Sequence, residues 1–137
     1  MTPVFSARVR VLICIALVAW AALAASGSAP PLATEPFTES RFRELQAQNA
    51  LILVDVTADW CPTCSHQRRV IARYLEKRPD VKLHVLELDF DRQRDWVVRM
   101  RAPQQSTLLL FRGSTQLWFS VAETREEVIS AAIDEAI

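Results

Sequence analysis

The apolar and polar positions divide this chain into two unlike parts. Near the start, the fifteen residues from Val11 to Ala25 run without a charge. From Phe37 onward, short apolar runs alternate with stretches whose apolar residues recur every three or four positions, as strands alternating with amphipathic helices do. Thr38, with Phe37 before it and Phe42 four positions beyond it, predicts a capped and stapled helix over about 38–48 that Leu45 continues. The run Leu51-Ile52-Leu53-Val54-Asp55-Val56 predicts a strand buried on both faces, interrupted by one acid. Val70, Ile71, Tyr74 and Leu75, stopped by Pro79, predict a helix over 62–77. Residues 83–88 read as a second buried strand, and 89–100 as a charged helix that turns Trp96, Val97 and Met100 inward. Residues 107–111 and 116–121 flank a turn at Arg112-Gly113-Ser114, which predicts an antiparallel hairpin. Thr124-x-x-Glu127 is a capping box for a last helix. The fold class is therefore α/β: a central mixed sheet flanked by helices, in the order β-α-β-α-β-β-α after an extra N-terminal helix.

Composition narrows this to one domain. Half of the 137 residues are apolar, enough for a single buried core. Sixteen basic residues balance sixteen acidic ones with no long block of either sign, which argues against nucleic acid as a partner. A monomer is expected.

The first part carries targeting information. Arg8 and Arg10 precede the apolar stretch, and small residues at Ala22, Ala24, Ser26 and Ser28 follow it, the order of a secretory signal peptide. Cleavage is expected after Ala22-Leu23-Ala24, which makes 1–24 the signal peptide, 25–36 a Ser, Ala and Pro-rich flexible linker, and 37–137 the folded domain. An uncleaved anchor is the alternative, disfavoured because a membrane span needs about 20 apolar residues. Val9 separates the two arginines, so the twin-arginine signal is not met. The expected location is the periplasm. Cys14 belongs to the leader and has no expected catalytic role.

Without the leader two cysteines remain, Cys61 and Cys64, in an oxidising compartment. Residues three apart lie on one turn and cannot staple distant segments, so a bond between them serves exchange. At a helix start the sulfurs reach disulfide geometry while the first thiol faces the helix dipole and free N–H groups, which favour its thiolate. Cys61 is therefore the expected nucleophile. It forms a mixed disulfide with substrate, which Cys64, one turn further in, resolves. Pro62 suits the first helical position, where a missing N–H costs nothing. Half of a zinc site is the competing reading, but no second cysteine pair exists and only His66 and His84 could add ligands. A soft ion such as Cu(I) held by Cys61, Cys64 and His66 is a further alternative. Asp55, if buried without a partner, is suited to carrying the proton that Cys64 loses and regains, and a strand-end acid turned to solvent is the alternative. Trp60 either shields the sulfurs or offers a substrate platform, whereas Asp59 and His66 are expected to be solvated.

The stretch Ile52 to Cys64, ending in Asp55-Val56-Thr57-Ala58-Asp59-Trp60-Cys61-Pro62-Thr63-Cys64, resembles the active-site strand and motif of the thioredoxin family, and the likeness extends from Phe37 to Ile137. The resemblance implies a thioredoxin fold and dithiol exchange through a Cys61–Cys64 redox disulfide. It assigns catalytic roles to Cys61, Cys64 and Asp55 and substrate contacts to Trp60, Pro62, Ser106 and Thr107, with no cofactor and no metal. Ala58-Asp59-Trp60-Cys61 is similar to the reducing thioredoxin domain of the bacterial transmembrane disulfide reductase, which implies a reductase of protein disulfides recharged by a membrane thiol carrier. An oxidase or isomerase using the same cysteines is the neighbouring alternative. Two positions depart from the family. Ser106 stands where a cis-proline is expected, and a non-proline cis bond costs about 2.5–4 kcal/mol, so the sequence leaves the Gln105–Ser106 peptide open between cis and trans. Glu87 stands where a lysine near the buried acid is common.

Overall fold

The computed structural model describes residues 33–137, and the expected leader and Cys14 lie outside them. The elements are β1 (Thr34–Pro36), α1 (Glu39–Ala47), β2 (Leu51–Thr57), α2 (Pro62–Lys77), β3 (Leu83–Asp89), α3 (Arg94–Arg99), β4 (Thr107–Arg112), β5 (Thr115–Val121) and α4 (Glu126–Glu135). The five strands form one sheet in the order β1-β3-β2-β4-β5. β1, β3 and β2 run parallel, whereas β4 is antiparallel to β2, and β5 to β4.

β2 is the central strand, hydrogen-bonded on both edges and buried at every residue, which is why its sequence is nearly continuous in apolar side chains. Its side chains alternate between two cores. Ile52, Val54 and Val56 pack with Phe42, Leu45 and Val97 from α1 and α3, and Leu51 and Leu53 pack with Val70, Ile71, Ile129 and Ile133 from α2 and α4. Asp55 follows Leu51 and Leu53 on the second face, under α2.

At the start of α1, Arg41 N–H donates to Thr38 Oγ1 (3.2 Å), and the Phe37 and Phe42 rings lie 5.5 Å apart as the expected staple. Gly113 turns the β4–β5 hairpin with φ +56°, and a Cβ there would stand 2.7 Å from Asn49 Oδ1.

Three local expectations are corrected. Thr34–Pro36, assigned to the flexible linker, forms β1 on the sheet edge beside β3. The third helix begins at Arg94, not 89, because the Asp89 carboxylate accepts from the N–H groups of Asp91 and Arg92 (both 2.9 Å) and holds those residues in a turn. The Thr124 capping box does not form: α4 starts at Glu126 without a side-chain cap, and the Glu123 carboxylate takes the N–H groups of Thr124 and Arg125 (3.0 and 2.9 Å).

Candidate active site

The cysteine pair sits where β2 hands over to α2. Cys61 is the N-cap of α2 in extended backbone, Pro62 occupies the first turn, and Cys64 N–H donates to Cys61 Sγ at 3.1 Å. Cys61 and Cys64 are joined as a disulfide with a Cα–Cα distance of 5.4 Å. Both are buried, and with Ala58 they form a small cluster of their own.

Ser106 reaches the pair from the opposite side. Its Oγ lies 3.1 Å from Cys61 Sγ and 3.3 Å from Cys64 Sγ. The residue is buried, has φ +62°, and no cis peptide occurs among the described residues. Ser106 N–H donates to Val56 O (2.8 Å), and its carbonyl accepts from Ala122 N–H (2.8 Å) and from Gln67 Nε2 (3.1 Å). Gln67 also donates to Glu123 O (2.9 Å), so one buried amide ties α2 to two loops behind the sulfurs. Sequence reasoning missed Gln67. The available signal was its position three residues after Cys64, a polar residue on the stripe that Val70, Ile71 and Tyr74 continue.

Asp55 is fully buried, and neither carboxylate oxygen has a hydrogen-bond partner. Burial pushes its pKa from 3.8 up to about 7, with Arg68 drawing it down and Glu87 pushing it up. Arg68 donates to Thr57 Oγ1 at 2.8 Å and lies 3.8 Å from Glu87 Oε1. A cation from α2 therefore stands opposite the acid on β3.

Trp60 is 61% exposed, and its indole N–H donates to Asp91 Oδ2 at 2.8 Å. Pro62 is also exposed, and with Thr63, His66, Arg69, Ala122 and Thr124 it lines a shallow depression beside the cysteines. Asp59 and His66 face solvent. The Ser106 and Thr107 side chains do not: both are buried, and Thr107 Oγ1 donates to Gln104 O at 2.7 Å. The Thr107 hydroxyl thereby holds its own loop. Among the described residues no three His, Cys, Asp or Glu side chains gather as a metal-holding group.

The family model described as Thioredoxin matches residues 33–135. The chain belongs to the thioredoxin family. A Cys-x-x-Cys pair at a helix start within this domain makes the chain a thiol-disulfide oxidoreductase. Among its relatives, Thioredoxin-1 of Saccharomyces cerevisiae is 29% identical over 86 residues, 63% of this chain and 82% of that protein. The crystal structure of Trxlp from Edwardsiella tarda is 35% identical, covers 74% of this chain and 98% of its own, and superposes with a TM-score of 0.69. Mitochondrial thioredoxin 3 from Saccharomyces cerevisiae, in its oxidised form, shares the fold at 18% identity and a TM-score of 0.64, over 74% of this chain and 94% of its own. Of the two departures from the thioredoxin pattern, Ser106 touches both sulfurs and Glu87 raises the pKa of Asp55.

Proposed function

We propose that this protein is an exported reductase of protein disulfides. Its exchange chemistry is carried by Asp55, a carboxyl buried with no hydrogen-bond partner on the strand beneath the cysteine helix, with its pKa raised to about 7, and its reducing direction is supported by the likeness of Ala58-Asp59-Trp60-Cys61 to a reducing thioredoxin domain. Such a group takes up and releases a proton near neutral pH. In the forward direction the Cys61 thiolate attacks a substrate disulfide, a Cys61–substrate bond forms, and the first substrate thiolate leaves and is protonated from solvent. Cys64 then gives its proton to Asp55, directly or through water, and attacks Cys61 Sγ. The second substrate thiolate departs, the Cys61–Cys64 bond closes, and two electrons have passed to the substrate. Trp60 and the depression edged by Pro62 are the surface on which the substrate segment rests. The leader at 1–24 delivers the domain to the periplasm, where a membrane thiol carrier returns it to the dithiol as a monomer without a cofactor.

An oxidase is the second reading, favoured by the contact of the Ser106 hydroxyl with both sulfurs, because groups that stabilise the dithiol raise the potential. The reduction potential of the mature domain, equilibrated against dithiothreitol and glutathione, separates the two. A value near about −270 mV supports the reductase, and one near about −120 mV overturns it in favour of the oxidase. Export is tested by fractionating cells that express the full chain. Recovery of a periplasmic form shortened by the leader supports it, and retention of the full-length chain in the cytoplasm refutes it.

A further inference from the structure

We propose that the Ser106 hydroxyl is a catalytic group of the exchange reaction: it donates its hydrogen to whichever cysteine sulfur carries the negative charge, and Gln67 positions it. This rests on the dithiol chemistry above but not on the direction of electron flow.

Three observations carry it. First, Ser106 Oγ touches both reacting atoms, at 3.1 Å from Cys61 Sγ and 3.3 Å from Cys64 Sγ. The bonded sulfurs carry no hydrogen, so the hydroxyl is the donor. Second, the contact is out of water, since Ser106 and both cysteines are buried, and a hydrogen bond to a thiolate is stronger there than at the surface. Third, the residue is held in place from three directions. Val56 O accepts its N–H, and Ala122 N–H and Gln67 Nε2 donate to its carbonyl. These bonds hold a left-handed backbone, φ +62°, that serine seldom adopts, and in it the side chain faces the sulfurs.

The hydroxyl keeps its proton throughout. In the dithiol it donates to the Cys61 thiolate, supplementing Cys64 N–H. Once Cys61 has bonded to substrate and Cys64 has lost its proton, the same O–H turns to Cys64 Sγ, whose thiolate then attacks Cys61 and releases the substrate thiolate. A short rotation of one bond follows the charge from sulfur to sulfur. The hydroxyl stabilises thiolate over disulfide, so it raises both the acidity of Cys61 and the reduction potential of the pair.

The test compares Ser106→Ala and Ser106→Gly with the parent domain. The glycine variant is compatible with the left-handed backbone and covers the case in which alanine does not fold. Thiolate absorbance against pH should show the acid constant of Cys61 falling about tenfold in either variant, the scale of one charge-assisted hydrogen bond. Equilibration with dithiothreitol should shift by about tenfold toward the disulfide, a potential about 30 mV more reducing. Folded variants that titrate and equilibrate like the parent overturn the proposal. So do variants that lose thermal stability while thiol acidity and potential stay fixed, because Ser106 is then structural. If the parent's own potential proves to be that of an oxidase while the variants shift as expected, the reductase reading fails and the role of Ser106 stands.

Discussion

Two buried polar regions flank the cysteine pair, and the fold treats them oppositely. On the Ser106 side, the backbone donor and acceptor and the amide donor of Gln67 are all engaged, and Gln67 Oε1 alone in that group has no partner. On the Asp55 side, a carboxyl of comparable burial has no partner for either oxygen. A satisfied group holds one geometry, and an unsatisfied acid is free to change protonation state. The region that must stay still is bonded, and the region that must exchange a proton is left bare.

Substitutions that remove what the regions share, or one region at a time, test this division. The largest effect is expected from Cys61→Ser, which should reduce disulfide exchange to the uncatalysed background in an insulin-reduction assay. Cys64→Ser should instead leave mixed disulfides that are trapped and visible by mass spectrometry. Asp55→Asn should slow the resolving step about 100-fold near neutral pH in stopped-flow measurements. The same variant has a stability signature. Below about pH 3 both folded and unfolded states hold the proton, so ionisation adds no penalty. As pH rises through 3.8 toward about 7 the unfolded chain releases its proton first and the native state is penalised, by a ceiling of about 4 kcal/mol that stays constant at higher pH. The denaturant midpoint of Asp55→Asn relative to the parent should therefore improve between about pH 3 and about pH 8, and a flat difference would refute the bare-acid description.

On the bonded side, Gln67→Leu should destabilise the fold by about 2 kcal/mol by removing the amide's donation to the buried Ser106 carbonyl and the half-buried Glu123 carbonyl, without adding any pH dependence to unfolding. The smallest effect belongs to the surface. Trp60→Ala should change stability by no more than about 0.5 kcal/mol, because the indole is largely exposed, yet raise KM for a protein disulfide several-fold.

Much of this arrangement is legible in the sequence because it is local. The apolar run of β2, the helical spacing of α2 and the position of Cys61 at its start each depend on a few consecutive residues, and Asp55 stands out as an acid in an apolar strand. What escapes is made by contacts distant along the chain. Gln67 is one polar residue on a helix face until the loops at Ser106 and Glu123 close over it. Arg68 pairs with Glu87 only because β3 lies beside β2. β1 is three residues long and is a strand because β3 offers a free edge, not because its own sequence demands it. The start of α3 and the missing Thr124 cap were misplaced for a different reason: Asp89 and Glu123 capture nearby N–H groups, and helical periodicity does not register that competition.

Four residues, Ala58 to Cys61, separate the end of β2 from the start of α2. Joined to a strand hydrogen-bonded on both edges, so short a connection is a weld and leaves no hinge at the sulfurs. Exchange requires three sulfur atoms to come into line, and the slack for that alignment must come from the visiting polypeptide. The ordering entropy of the encounter is thus carried by the partner, and disulfides on yielding loops will dock more readily than those locked inside a rigid core.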